Sequence, residues 1–312
     1  MSLTDVHGKP QDTKKPSWVP DYGAKPARRI GIIDGEWHAG GYVPVRWCCP
    51  EVHESGLLIC GGMVVDVIDG TGAISRADLE AGALKLESGD NIGKLRQPKS
   101  TWNSKTAGED TIYDVLVGGC DRNGRKAPVS FKCLYTAFPV AEPQKQSPFY
   151  RNWHFINSSA DLMIDGRTLA SYFSHLTDTS GPDSTLTPPS ASKSGTNHDM
   201  RPSDAMKTAA ARQTMEARTK MRRLIITQSG LLGIAPVQTQ PGDVVIVLPG
   251  HGKPLIARKP DNADEEDDLW YLIGEAYIRG MMEAEKMALS AEPWHEREKY
   301  KTAEKLRNFV FV

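Results

Sequence analysis

The sequence of 312 residues is poor in the features that announce a chemistry or an address. No apolar run approaches the roughly 20 residues of a membrane-spanning helix, and Met1-Ser2-Leu3-Thr4-Asp5 has no secretory pattern, so a soluble chain is expected. The five cysteines, Cys48, Cys49, Cys60, Cys120 and Cys133, are few and odd in number, which favours a reducing, cytoplasmic compartment over a disulfide framework. Charge of one sign is also missing: 38 basic against 39 acidic residues leave no field to draw nucleic acid or an acidic membrane. The signatures H-E-x-x-H, G-x-S-x-G and G-x-G-x-x-G do not occur, which removes the commonest marks of zinc hydrolases, α/β-hydrolases and dinucleotide enzymes.

What is present is strand patterning towards the C-terminus. Arg223–Thr227 is apolar and β-branched, breaks at Gln228-Ser229-Gly230 and resumes over Leu231–Ile234, the pattern of a tight hairpin. Pro241-Gly242-Asp243 is a turn, because proline presets φ and glycine accepts positive φ. Val244–Leu248 suits a strand buried on both faces, and Pro249–Pro254 turns the chain into a further strand, Leu255–Arg258. A loop with Asp261, Asp264, Glu265, Glu266, Asp267 and Asp268 then leads to Leu269–Ile273. These segments predict a five-strand meander whose edges need closure or a cover.

Upstream, residues 1–29 form an extended arm with Trp18 as an anchor, followed by candidate strands over Arg29–Asp34 and Gly41–Val45. Leu57–Cys60 and Met63–Ile68 read as a hairpin about Gly61-Gly62. The period then changes. Ser75 can cap a helix that Gly89 ends, Thr106–Val117 is amphipathic and stops at Gly118-Gly119, and a further helical tract covers about Pro148–Phe173. The stretch 177–202, rich in Ser, Thr, Pro and Gly, reads as a disordered loop, before a long helix over Asp204–Met221.

The order R-R-x-hydrophobic-x-T-x-x-G from Arg222, P-G-D-x-V-x-V-L from Pro241, and hydrophobic-hydrophobic-G-E-A-Y-hydrophobic-x-G-M-M from Leu272 resembles the C-terminal region of fungal heterokaryon-incompatibility (HET) domain proteins. Pro16-Ser17-Trp18-Val19-Pro20-Asp21-Tyr22 is similar to the segment that follows the HET domain in that family, and Leu57–Val67 to the apolar strand pair after it. Only Met1–Lys15 precede that segment, so the resemblance implies an accessory region lacking the N-terminal HET domain and the cell-death activity associated with it.

Several motifs carry residue types that can do chemistry. Gly250-His251-Gly252-Lys253-Pro254 has Val247 where a phosphate loop needs its first glycine and Pro254 where it needs a hydroxyl, so it reads as a hairpin turn. His38, Cys48, Cys49 and His53 are soft ligands, but adjacent residues on a strand face opposite ways, and no metal or other cofactor is expected. Lys207, Arg212, Arg218, Lys220, Arg222 and Arg223 read as a solvated basic helix face opposed by the acidic loop at 261–268.

The polar residues of the resembling motif, Arg258, Glu275, Tyr277 and Glu283, are the candidate ligand- or partner-binding positions, with no catalytic residue assigned. Their structural alternative is an Arg258–Glu275 pair across neighbouring strands, with Glu275 capping a helix that begins at about residue 276.

The sequence thus predicts an α+β fold with a single domain over 30–312. A small antiparallel barrel-like sheet comes from about 30–70 and 222–273 with a last strand at 309–312, and a helical layer comes from about 75–173. The expected role is a non-enzymatic accessory or interaction module of the HET family, linked to non-self recognition and binding another protein. The alternative is a small-molecule-binding protein or enzyme of a fungal secondary-metabolite pathway, with a pocket between sheet and helices.

Overall fold

The structure, a computed structural model, describes residues 17, 37–40, 51–81, 110–139, 141–173, 202–261, 268–283 and 306–312. The arm at 1–29 apart from Ser17, the candidate strands at 29–34 and 41–45, the loop at 177–202 apart from Pro202 and most of the acidic loop lie outside these residues. In chain order the strands are β1 (Glu51–Val52), β2 (Leu58–Thr71), β3 (Met163–Ile164), β4 (Arg167–Thr168), β5 (Arg222–Thr227), β6 (Leu232–Pro236), β7 (Val244–Val247), β8 (Leu255–Arg258), β9 (Leu269–Glu275), β10 (Tyr277–Ile278) and β11 (Arg307–Phe311). The helices are α1 (Arg76–Glu80), α2 (Asp110–Leu116), α3 (Tyr150–Ser158) and α4 (Pro202–Thr219), with 3-10 turns at Val129–Thr136 and Leu169–Tyr172. This is the expected α+β arrangement: nine of the strands make one sheet, and the helices gather on part of it.

The organising element is β2. The sequence suggests a hairpin about Gly61-Gly62, yet the chain runs straight through as a strand of 14 residues. Gly62 is there for closeness and not for a turn, since a Cβ on it would meet Leu248 Cδ2 at 2.6 Å and the Phe309 ring at 3.1 Å. Leu58–Gly62 pair antiparallel with β11, Met63–Val67 with β7, and Ile68–Thr71 with β5. The register shifts between Val64 and Asp66 and again between Ile68 and Gly70. Such irregularities bend and twist a strand, which lets one strand serve three partners.

The remaining ladders close a ring. β7 pairs with β8 and β8 with β9, both antiparallel, while β9 lies parallel to β11, which returns to β2. The ring β2-β11-β9-β8-β7 therefore has no free edge among its five strands. Beside it, β5 pairs with β2 and β6, and β6 with β10, which follows β9 after the single residue Ala276. The expected meander is accordingly interrupted: β6 does not pair with β7, because β2 stands between β5 and β7.

Apolar side chains then stack in three layers. Leu58, Cys60, Phe309, Phe311, Trp270, Leu272, Leu255, Ala257 and Ile246 come from all five ring strands and fill its interior. The alternate residues Val245, Ile256 and Ile273 point the other way and join Ile225, Ala235 and Ile278. On the far face of β5 and β6, Leu224, Ile226, Leu232 and Ile234 meet the helical layer through Leu116, Phe155, Ala211 and Met215. Strands β5, β6 and β7 are buried on both faces, which accounts for their continuous apolar runs.

Two helical expectations need correction. The tract Pro148–Phe173 is α-helical only over α3, with a 3-10 turn at Leu169–Tyr172; between them Asp165 (φ 52°) and Gly166 (φ 71°) make the two-residue turn of the hairpin β3-β4. No helix begins at 276 either, since β10 and a turn through Glu283 occupy that stretch and residues 284–305 lie outside the description.

Candidate functional site

Of the candidate motif residues, Glu275 and Tyr277 lie where β9 leaves the ring and β10 joins β6. Glu275 ends β9 opposite Leu255, and its side chain is turned inward. Lys253 Nζ donates to Glu275 Oε2 at 3.0 Å, with both side chains buried. The Pro249–Pro254 segment is thus a turn, as expected, but one that delivers a buried cation. His251 Nε2 stands 4.0 Å from Glu275 Oε1, and its Nδ1 lies 2.8 Å from the Lys253 carbonyl. Arg222 NH1 donates to the Glu275 carbonyl at 2.7 Å. Burial lowers the Arg222 guanidinium to about 10, although the Glu275 charge opposes the shift.

Tyr277 faces the helical layer. Its hydroxyl donates to Asp114 Oδ2 at 3.0 Å, and Arg279 Nε stands 3.7 Å from the same oxygen. Burial, reinforced by Asp114, pushes the phenol well above its ordinary 10.0. The ring lies over Gly119, where a Cβ would sit 2.5 Å from the hydroxyl, and its other neighbour is Trp37 at 5.8 Å between centroids. Gly118 and Gly119, at φ 63° and 69°, end α2 as the sequence predicts, with the Gly119 amide donating to Asp114 O at 2.8 Å.

A short strap crosses this junction. Ala39 N and Gly40 N donate to Gly252 O and His251 O at 3.3 and 2.9 Å, Gly250 N to Gly40 O at 3.1 Å, and His38 N to Met282 O at 3.0 Å. His38, a candidate soft ligand, is therefore placed by its backbone, and among the described residues no group of three His, Cys, Asp or Glu could hold a metal. Cys48 and Cys49 lie outside those residues.

Arg258 does not join this cluster. Register places it opposite Tyr271, and it binds Asp243 through Nε–Oδ1 at 2.7 Å and NH2–Oδ2 at 2.9 Å, with NH2 also donating to Gln238 O at 2.7 Å. The expected Arg258–Glu275 pair is absent because Arg258 lies three positions further along β8 than Leu255, the residue opposite Glu275. Nor does Glu275 cap a helix, since β10 follows it. Glu283 is exposed in the turn after β10.

The basic face expected on and after α4 is divided: Lys207 is exposed, Arg212, Lys220 and Arg223 are half-buried, and Arg218 and Arg222 are buried. Arg223 Nε donates to Gly72 O at 2.8 Å. Burial is again the cause of the fall of Arg223 to about 10. Arg218 ties the carbonyls of Val117 and Asp121 to α4, Arg222 ties that of Glu275 at the end of β9 to β5, and Arg223 ties that of Gly72 to β5.

Asp114, Asp243 and Lys253 were not identified as partners from the sequence. The signal for Asp243 was its position after Pro241-Gly242, where an aspartate closes a turn; its Oδ2 does accept from Gln240 N at 2.7 Å. Nothing in the local pattern marks Asp114 or Lys253, whose partners are 163 and 22 residues away.

The profile of the Het-6 beta-barrel domain matches residues 185–298, which include α4 and β5–β10. Heterokaryon incompatibility protein 6, OR allele, of Neurospora crassa is 38% identical over 64 residues, 20% of this chain and 9% of that protein. The similarity therefore spans less than a tenth of that relative's length. No solved structure matches the chain. No described helix is long and apolar enough to cross a membrane. Residues 185–298 are thus similar to the Het-6 beta-barrel domain, and both matches support the resemblance of this part of the chain to the C-terminal region of fungal heterokaryon-incompatibility family proteins.

Proposed function

We propose that this chain is a non-enzymatic accessory module of the heterokaryon-incompatibility family, which binds another protein in the cytoplasm as part of non-self recognition. The observation that carries this reading is how the motif's polar groups are used. Arg258 is held by Asp243, Glu275 by Lys253 and Tyr277 by Asp114, each at 3.0 Å or less. A catalytic set converges its polar groups on a place where a reacting atom can sit. Here they are spent on joining turns to strands and helices, as in a scaffold that presents a surface. Residues 30–312 act as one domain in this reading, because β2 and the C-terminal strands share a ring.

The test is binding of the purified chain to HET-family proteins from vegetatively compatible and incompatible strains, measured by titration calorimetry. The expected result is association with at least one allelic form and an affinity at least tenfold weaker for another. Equal affinity for all forms, or no association with any of them, would overturn the proposal.

A further inference from the structure

Most cations on the described surface have an acidic neighbour, and one turn is the exception. Arg76, Lys145, Arg151, Lys207 and Arg279 each have a carboxylate within 4.0 Å. Arg122, Arg125 and Lys126 are all exposed, and none of them makes an ion pair with a described residue. Arg122 NH1 donates instead to the neutral Gln213 Oε1 at 2.7 Å.

The turn that carries them is preformed. Cys120 and Lys126 make an antiparallel bridge, Asp121 N donates to Arg125 O at 2.7 Å, and Gly124 takes a φ of 77° at the tip. Ala127 N donates to Gly119 O at 2.9 Å, which fixes the base of the turn to the end of α2. Asp121 is the one acid of the turn, and its Oδ1 accepts the amides of Asn123 and Arg125 at 2.7 and 3.0 Å. Its charge also supports that of the buried Arg218 guanidinium. The three cations therefore face outward without a local counter-charge.

The chain as a whole has a net charge of −1, so acid is in excess elsewhere, and it is concentrated. Asp261, Asp264, Glu265, Glu266, Asp267 and Asp268 fall between β8 and β9. Those two strands belong to the ring, whereas the basic turn is tied to α2 and, through Gln213, to α4 in the helical layer.

We propose that the turn Arg122–Lys126 docks the acidic segment Asp261–Asp268 of a second copy of this chain. The two arginines can each take a carboxylate with two parallel hydrogen bonds, and only Asn123 and Gly124 stand between them. Exposed ion pairs are weak singly, but a fixed patch of one sign facing a run of the other steers encounter and selects the partner. The result is a weak self-association that salt screens. It joins copies of this chain and is independent of binding to a different protein.

The test is sedimentation equilibrium of the whole chain at about 0.02 M and about 0.5 M salt, with self-association at the lower and at least about tenfold weaker association at the higher. Arg122→Glu with Arg125→Glu and Lys126→Glu should abolish it, and so should Asp264→Lys with Glu265→Lys and Glu266→Lys. Mixed together, these two variants hold one intact turn and one intact acidic segment between them and should recover a 1:1 complex. Should either variant not fold, carbodiimide treatment of mixed isotope-labelled and unlabelled copies of the unmodified chain at low salt should join Lys126 of one copy to the segment 261–268 of another. A monomer at low salt, self-association retained by either variant, a mixture that stays monomeric, or cross-links between copies that avoid Lys126 would each overturn the proposal.

Discussion

Asp243 and Arg258 face each other at the β7-β8 hairpin as a two-pronged ion pair, 2.7 and 2.9 Å long, in which the aspartate is buried and also caps its own turn. Arg258→Met leaves that carboxylate without its cation and is expected to destabilise the protein by about 3–5 kcal/mol in urea unfolding. Combining it with Asp243→Asn should cost less than the sum of the two single changes. Glu275→Gln, by contrast, should add to Arg258→Met within about 0.5 kcal/mol, because the two residues share no partner. Strong coupling between Arg258 and Glu275 would contradict the register.

Lys253→Met should similarly strand Glu275, lowering stability by about 3–5 kcal/mol. Lys253→Met with Glu275→Leu replaces the whole pair by apolar groups and should recover a large part of the loss. A double variant as unstable as the single one would mean that Lys253 acts through its packed stem and not through its charge.

Gly119 and Gly166 form a controlled comparison, with φ of 69° and 71°. An alanine at Gly166 meets nothing within 4 Å, so only the backbone penalty of about 1–2 kcal/mol applies. An alanine at Gly119 also presses on the Tyr277 hydroxyl and ring, which adds about 1–3 kcal/mol. Equal unfolding midpoints for the two variants would show that Tyr277 moves aside freely.

The alkaline limb of stability should depend on Tyr277. Its folded-state pKa is raised, chiefly by burial, so the native state holds the proton more tightly than the unfolded chain does. The resulting contribution is fully present below the unfolded value of about 10 and is lost as pH rises from there through the folded value. Tyr277→Phe should therefore show a shallower decline than the unmodified protein in denaturant midpoints from pH 9 upwards. Parallel curves would dismiss the phenol as the source.

Local periodicity carried the hairpin β5-β6, the turns around β7 and β8, the end of α2 and the course of α4, because each is dictated within a few residues by apolar spacing and by glycine or proline. It failed where spacing had two meanings. Gly61-Gly62 is equally a turn signal and a place where Leu248 and Phe309 approach the backbone, and only the tertiary neighbours decide. Asp165-Gly166 is a two-residue hairpin signal, outweighed in the sequence by the helical placement of Phe149, Trp153 and Phe155. The candidate positions Glu275 and Tyr277 were legible as a motif, but their partners Lys253 and Asp114 were not, since long-range pairing leaves no local pattern. Arg218 and Arg222 were misplaced for the same reason. Charge predicts solvent, and their carbonyl acceptors, Val117, Asp121 and Glu275, lie far away in the sequence.

The sharing of β2 also bears on the order of events at the ribosome. Leu58 and Ile59 can pair at once with β1, but the other edge of Leu58–Gly62 finds its ladder only when Arg307–Phe311 arrive, more than 200 residues later in synthesis. The β5-β6 hairpin and the β7-β8 hairpin can form as they emerge, whereas ring closure waits for the last strand to clear the exit tunnel. Until then Leu58, Cys60 and the edge of β2 stay open to other chains, so this nascent protein should depend on a holding chaperone to a degree that its finished, edgeless ring does not suggest.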